Sequence, residues 1–226
     1  ISTRTNGFDD GNKDHGSSWF GYEYYRYTYP SVNAKGEPIT LTALAAMPTK
    51  NNILINNIIL GCHITITDNK STPSEYITKG SVRSDVGMLT MHAQAKKASE
   101  LAYNCLVILP DYQGYGNTRN QAHPYLAQEI TARQSVDALR YCIELYKTSK
   151  KERAKIRENW KTICVGYSQG GSVAMACQKF METNFLDKDL NLGGSVCGDG
   201  PYDPIATLQT YITEDKVYMP VALPLI

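Results

Sequence analysis

No basic run, acidic tail or apolar stretch of bilayer length occurs in this sequence. Its 23 Lys and Arg stand against 22 Asp and Glu, a formal net charge of +1, so the electrostatic footprint that nucleic-acid binding needs is missing. The longest apolar run, Ile53 to Leu60, is interrupted by asparagines and is far shorter than the roughly 20 residues of a spanning helix. Cys-x-x-Cys is absent, which removes the zinc readings of the six cysteines. Cys62, Cys105, Cys164 and Cys197 fall in strand-like apolar runs, where Cys acts as a small core hydrophobe, so free buried thiols are expected rather than a disulfide framework. Internal repeats and low-complexity segments are absent. Of the four histidines (His15, His63, His92 and His123), none lies beyond position 123. What is present, 226 residues of which 42% are hydrophobic, suits one globular domain with a real core.

Residues 1–18 are polar and rich in Gly, Asn and Asp, and read as a loose arm. Tyr22 to Tyr29 and Ile39 to Met47, joined by a turn-rich connector, predict an opening β-hairpin. Ile58 to Thr67 predicts a strand, Met88 to Leu101 a helix, and Asn104 to Leu109 a buried strand stopped by Pro110. Leu126, Ile130, Val136, Leu139, Ile143 and Tyr146 mark one face of a long helix. Lys147 to Glu158 reads as a charged surface excursion. Strands at Thr162 to Val165 and Leu192 to Cys197 then flank a helix over Ser172 to Phe180. Alternation of this kind implies an α/β fold, a mainly parallel sheet with helices on both faces. The core therefore spans residues 19–204. Residues 205–226 read as the start of a cap or of a connection onward, and the apolar, Pro-broken end predicts that the natural chain continues. Ile rather than Met at position 1 likewise predicts a removed start.

One motif carries chemistry: Gly166-Tyr167-Ser168-Gln169-Gly170. By chance the bare Gly-x-Ser-x-Gly pattern arises in about one chain of this composition in ten, so context decides. Here a strand precedes it and a small-residue helix start, Gly171-Ser172-Val173-Ala174, follows. A sharp strand-to-helix turn lifts the Ser168 hydroxyl clear of the sheet, and the flanking Gly166 and Gly170 let neighbouring backbone come close. The same turn directs the backbone N–H of Gln169 to where an oxyanion would form, at the positive end of the helix.

Three loops now stand in order: Gly61-Cys62-His63 closing a strand, Asp111-Tyr112-Gln113-Gly114-Tyr115-Gly116-Asn117-Thr118 after the next, and the turn at Ser168. Over roughly residues 20 to 204 the chain resembles the α/β-hydrolase superfamily, with Ser168 at its nucleophile elbow. Tyr167-Ser168-Gln169-Gly170-Gly171 and Pro110-Asp111-Tyr112 with Gly114-Tyr115-Gly116 look most like secreted lipases and esterases, including the secretory-lipase group. Prolyl-oligopeptidase-like hydrolases come next. The resemblance implies a fold with eight strands, of which this chain supplies six. It makes Ser168 the nucleophile, Gln169 one backbone oxyanion donor, and an N–H near Ile64 or Thr65 the other. His63-Ile64 departs from the His-Gly of many members at that loop.

The family order, serine then acid then histidine, places the acid and base after strands expected beyond residue 226. Asp199 and Asp203 are the internal acid candidates. His63 is expected to support its loop, His123 to anchor another, His92 to lie at a surface, and Asp111 to be structural. The implied activity is hydrolysis of small carboxylic esters through an acyl-enzyme, without metal or organic cofactor and outside the cytoplasm. Esters are expected ahead of peptides, because peptide cleavage in this superfamily usually accompanies a propeller domain, for which these 226 residues show no sequence. The alternatives are a non-catalytic binding protein on the same fold, or a peptidase or thioesterase.

Overall fold

The computed structural model describes residues 22–48, 53–78, 105–148 and 154–214. The expected N-terminal arm, the helix over Met88 to Leu101 and the Pro-broken apolar end lie outside them.

The chain opens with a hairpin of β1 (Tyr22–Val32) and β2 (Pro38–Pro48), Tyr22 facing Pro48. Gly36, at φ 80°, supplies the left-handed residue of its turn. β3 (Ile53–Cys62), β4 (Cys105–Pro110), β5 (Ala154–Tyr167) and β6 (Leu192–Gly198) complete a six-stranded sheet in the order β1-β2-β4-β3-β5-β6. β2 runs antiparallel to both its neighbours, whereas β4, β3, β5 and β6 are mutually parallel. Among the described residues three α-helices follow strands: α1 (Gln128–Thr148), α2 (Gln169–Thr183) and α3 (Pro204–Thr213).

Burial explains the composition of the strands. All six residues of β4 are buried, so it reads as a continuous apolar run rather than an alternating one. Leu106 and Ile108 join the large core formed with Ile58, Leu60, Val136, Leu139 and Val173, while Cys105, Val107 and Leu109 join a smaller core with Leu44 and Ala46. The two clusters are the two faces of the sheet. α1 and α2 pack on each other and both touch β3, so they share one face. All six cysteines are unpaired thiols, five of them buried, in keeping with their use as small core residues.

Two boundaries differ from expectation. β3 begins at Ile53 and ends at Cys62: Asn56 and Asn57 do not break it, but its register with β5 shifts there, and residues 63–66 leave the sheet as a loop. The charged segment after α1 is also shorter than its composition suggests. α1 runs through Thr148 and β5 begins at Ala154, with Lys155, Arg157 and Glu158 exposed along the strand and Ile156 turned to the core. No helix among the described residues is long and apolar enough to cross a membrane.

Leu60, fully buried in the central strand, gives a direct test of this core. Leu60→Ala should lower the unfolding free energy by about 3 kcal/mol in a urea titration, with an unchanged m-value.

Candidate active site

Every loop singled out in the sequence leaves the carboxyl end of a parallel strand, where ligand sites form in open α/β sheets. Residues 63–66 follow β3, 111–118 follow β4, Ser168 follows β5, and 199–203 follow β6. The sheet thus gathers onto one edge residues far apart in sequence.

Ser168 stands between Tyr167, the last residue of β5, and Gln169, the first of α2. Its backbone adopts φ 53° and ψ −125°, a region that side-chain-bearing residues seldom occupy. The surroundings hold it there. Its N–H donates to the Gly198 carbonyl at 2.9 Å, and its own carbonyl accepts from the N–H of Gly171 at 2.9 Å. A Cβ on Gly166 would collide with the carbonyl of Gly170, and one on Gly171 would meet the Gly198 oxygen at 2.5 Å. Gly170 packs on β3 itself: a Cβ there would strike the Cys62 and His63 carbonyls. Three glycines are therefore needed for close approach, and the turn at Ser168 and the loop after β3 are in backbone contact.

As the first residue of α2, Gln169 has an N–H with no partner inside the helix. Its side chain is almost wholly buried, with Nε2 2.7 Å from Nε2 of His123. The Nδ1–H of His123 donates to the Gln113 carbonyl at 2.8 Å, which leaves Nε2 as an acceptor for the Gln169 amide. Burial holds the His123 imidazole below its ordinary range, the Gln113 carbonyl pulls it back up, and nearby His63 lowers it further. His123 is thus a neutral, fully engaged ring.

His63 is equally occupied. Its Nδ1 lies 2.7 Å from the Ile64 carbonyl and its Nε2 3.1 Å from that of Asp111, while its ring stacks on Tyr112 at 4.0 Å. The loop it begins is tied down at three further points. The Thr65 hydroxyl meets the Tyr125 hydroxyl at 3.1 Å, Tyr115 donates to the Ile66 carbonyl, and the Asn69 side chain accepts from the N–H of Gly116. Neither described histidine bonds to the Ser168 hydroxyl; His15 and His92 lie outside the described residues.

The acidic candidates separate by environment. Asp203 caps α3, its carboxylate accepting from the N–H of Ala206 at 3.0 Å. Asp199 is exposed, in a left-handed conformation at φ 45°, and accepts from the Tyr167 hydroxyl at 3.3 Å. Asp111 is completely buried and braces the β4 loop: both its oxygens accept from Ser74, its N–H donates to the Thr42 carbonyl, and a Cβ on Gly116 would strike its Oδ2 at 2.5 Å. Burial pushes this carboxyl up to about 7 against the pull of the two Ser74 hydrogen bonds. Among the described residues no group of three or more His, Cys, Asp or Glu could hold a metal ion.

The linkage of Asp111 has a definite sign. Its folded pKa lies above the ordinary carboxylate value of 3.8, so between pH 3.8 and about 7 the folded state holds a proton that the unfolded chain has released. Stability therefore falls as pH rises through that window. Asp111→Asn, which keeps a neutral side chain at every pH, should flatten the decline of Tm between pH 4 and 7.

No family model matches the sequence, and no curated protein does. Solved structures do match its fold. The rice cell wall degrading esterase LipA from Xanthomonas oryzae superposes with a TM-score of 0.65 at 23% identity, over 91% of this chain and 50% of that one. Candida antarctica lipase A gives 0.54 at 16% identity, over 92% of this chain and 43% of that one. This chain thus spans half or less of the length of these solved chains. At such identities the likeness is one of fold. Six strands in this order, with the serine turn between β5 and α2, are the α/β-hydrolase fold.

Proposed function

We propose that the protein is a serine hydrolase that cleaves carboxylic esters through an acyl-enzyme on Ser168. The observation that carries this reading is the conformation of Ser168 at φ 53° and ψ −125°, held by close glycine contacts at the junction of β5 and α2. Strain of this kind costs about 1–3 kcal/mol and persists only where the surroundings impose it. A strand-to-helix turn without chemistry has no need of it. The esterase and lipase of similar fold give the same direction.

In the reaction a general base takes the Ser168 proton as the hydroxyl oxygen attacks the ester carbonyl. The carbonyl electron pair moves onto oxygen, where the Gln169 N–H at the start of α2 stabilises the charge. A second N–H, from Ile64 or Thr65, approaches from the loop that Gly170 touches. Collapse expels the alcohol, which takes its proton from the protonated base, and water then releases the acid by the same steps. We assign the base to a histidine outside the described residues, because the nitrogens of His63 and His123 are engaged elsewhere. Asp199 is the remaining internal candidate for the acid, since Asp203 is occupied as a helix cap. The substrate is a small ester, no cofactor enters the mechanism, and a place outside the cytoplasm rests on the resemblance to secreted lipases and esterases.

A non-catalytic protein on the same fold is the second reading, favoured by the absence of an imidazole bonded to Ser168 among the described residues. Intact mass before and after fluorophosphonate treatment separates the two. A single adduct on Ser168, abolished in Ser168→Ala together with ester hydrolysis, is expected. An intact protein that takes no adduct establishes the second reading.

A further inference from the structure

The two loops assigned to the oxyanion hole come from different strands, yet one short segment touches both. His123-Pro124-Tyr125 lies between the β4 loop and α1. At one end, Nε2 of His123 accepts from the side-chain amide of Gln169 at 2.7 Å. At the other, the hydroxyl of Tyr125 meets that of Thr65 at 3.1 Å. The segment is itself held rigidly. His123 Nδ1–H is fixed on the Gln113 carbonyl, and Gln113 is held in turn by the Gln134 amide at 2.9 Å. The ring of His123 lies parallel to Tyr112, 6° between planes and 6.0 Å between centroids, with Tyr115 at 5.2 Å and Tyr125 at 6.0 Å. Gly114 lets the β4 loop close on the backbone of His123, since a Cβ there would approach His123 Cα to 2.7 Å.

We propose that His123-Pro124-Tyr125 is a strut that sets the separation of the two oxyanion-donating loops, with His123 and Tyr125 acting as positioning residues for acyl transfer. The proposal rests on Ser168 being the nucleophile and goes beyond it. An oxyanion hole works only if both donors stand about 2.7–3.1 Å from the developing charge. Gln169 presents its backbone N–H to that point while its side chain points into the protein, so a partner on the side chain limits rotation of the whole residue. Tyr125 does the same for Thr65. A strut that acts through Gln169 and Thr65 rather than on substrate should, when lost, affect the transition state more than substrate binding.

The test uses the full-length protein, with active sites counted by fluorophosphonate and kcat measured per counted site on p-nitrophenyl acetate. His123→Phe keeps the aromatic area and removes the acceptor; Tyr125→Phe removes one hydroxyl. The expected result is a loss of kcat per site of about tenfold or more for the first and about fivefold for the second, with KM within about twofold. His123→Gln, which returns an acceptor near the position of Nε2, should restore kcat to within about threefold of the parent. A residue that only supports folding would lower Tm and the number of titratable sites while leaving kcat per site intact, and that outcome in both variants overturns the proposal. A change confined to KM overturns it as well. Should His123→Phe fail to fold, Tyr125→Phe decides the matter by the same criterion. Ser168→Ala is the separate control: retained turnover and labelling there would sink the nucleophile itself and the strut with it. A dead Ser168→Ala beside unaffected strut variants leaves the nucleophile standing and removes only the strut.

Discussion

Where the first turn of α2 crosses the end of β3, the two segments meet backbone to backbone, because Gly170 has no side chain to hold them apart from the Cys62 and His63 carbonyls. Much of the site follows from that approach. It brings the loop beginning at His63 beside the turn at Ser168, although the two are separated by more than a hundred positions in the sequence. Gly166 and Gly171 extend the same close packing to the helix itself and to β6. A methyl group at any of the three would push one of these elements away, and the strained serine would lose the walls that keep it in place.

Around this contact the protein has assembled polar groups that satisfy one another rather than solvent. His63 bridges its own loop and the β4 loop, Asp111 is met on both oxygens by Ser74, and His123 joins Gln113 to Gln169. Tyrosines line the spaces between. Burial raises the cost of any unpaired group, so each of these bonds is worth more here than at a surface. A neutral His123 and a readily protonated Asp111 are the electrostatic result.

How much of this the sequence discloses depends on the range of the interaction. The strand-to-helix turn at Ser168 was legible because strand, turn and helix are contiguous, and because two glycines around a serine have a local meaning. The hairpin and the α1 face were legible for the same reason. Asparagines at 56 and 57 pointed to a later start of β3 than is found, since a polar pair within a strand is tolerated when its register can shift. The charge of Lys155, Arg157 and Glu158 suggested a loop, yet an exposed strand face accepts the same residues. The bonds of His123 with Gln169 and of Tyr125 with Thr65 leave no local trace. They join positions 46 and 60 apart, and only the folded sheet brings them together.

The backbone of Ser168 has an evolutionary consequence. Glycine would sit at φ 53° and ψ −125° without strain, so the fold alone would be better served by that residue. Selection acting only on heat resistance would drift toward glycine at 168 and erase the hydroxyl. On the proposed reading, a serine kept there against that gradient is stability surrendered to reactivity.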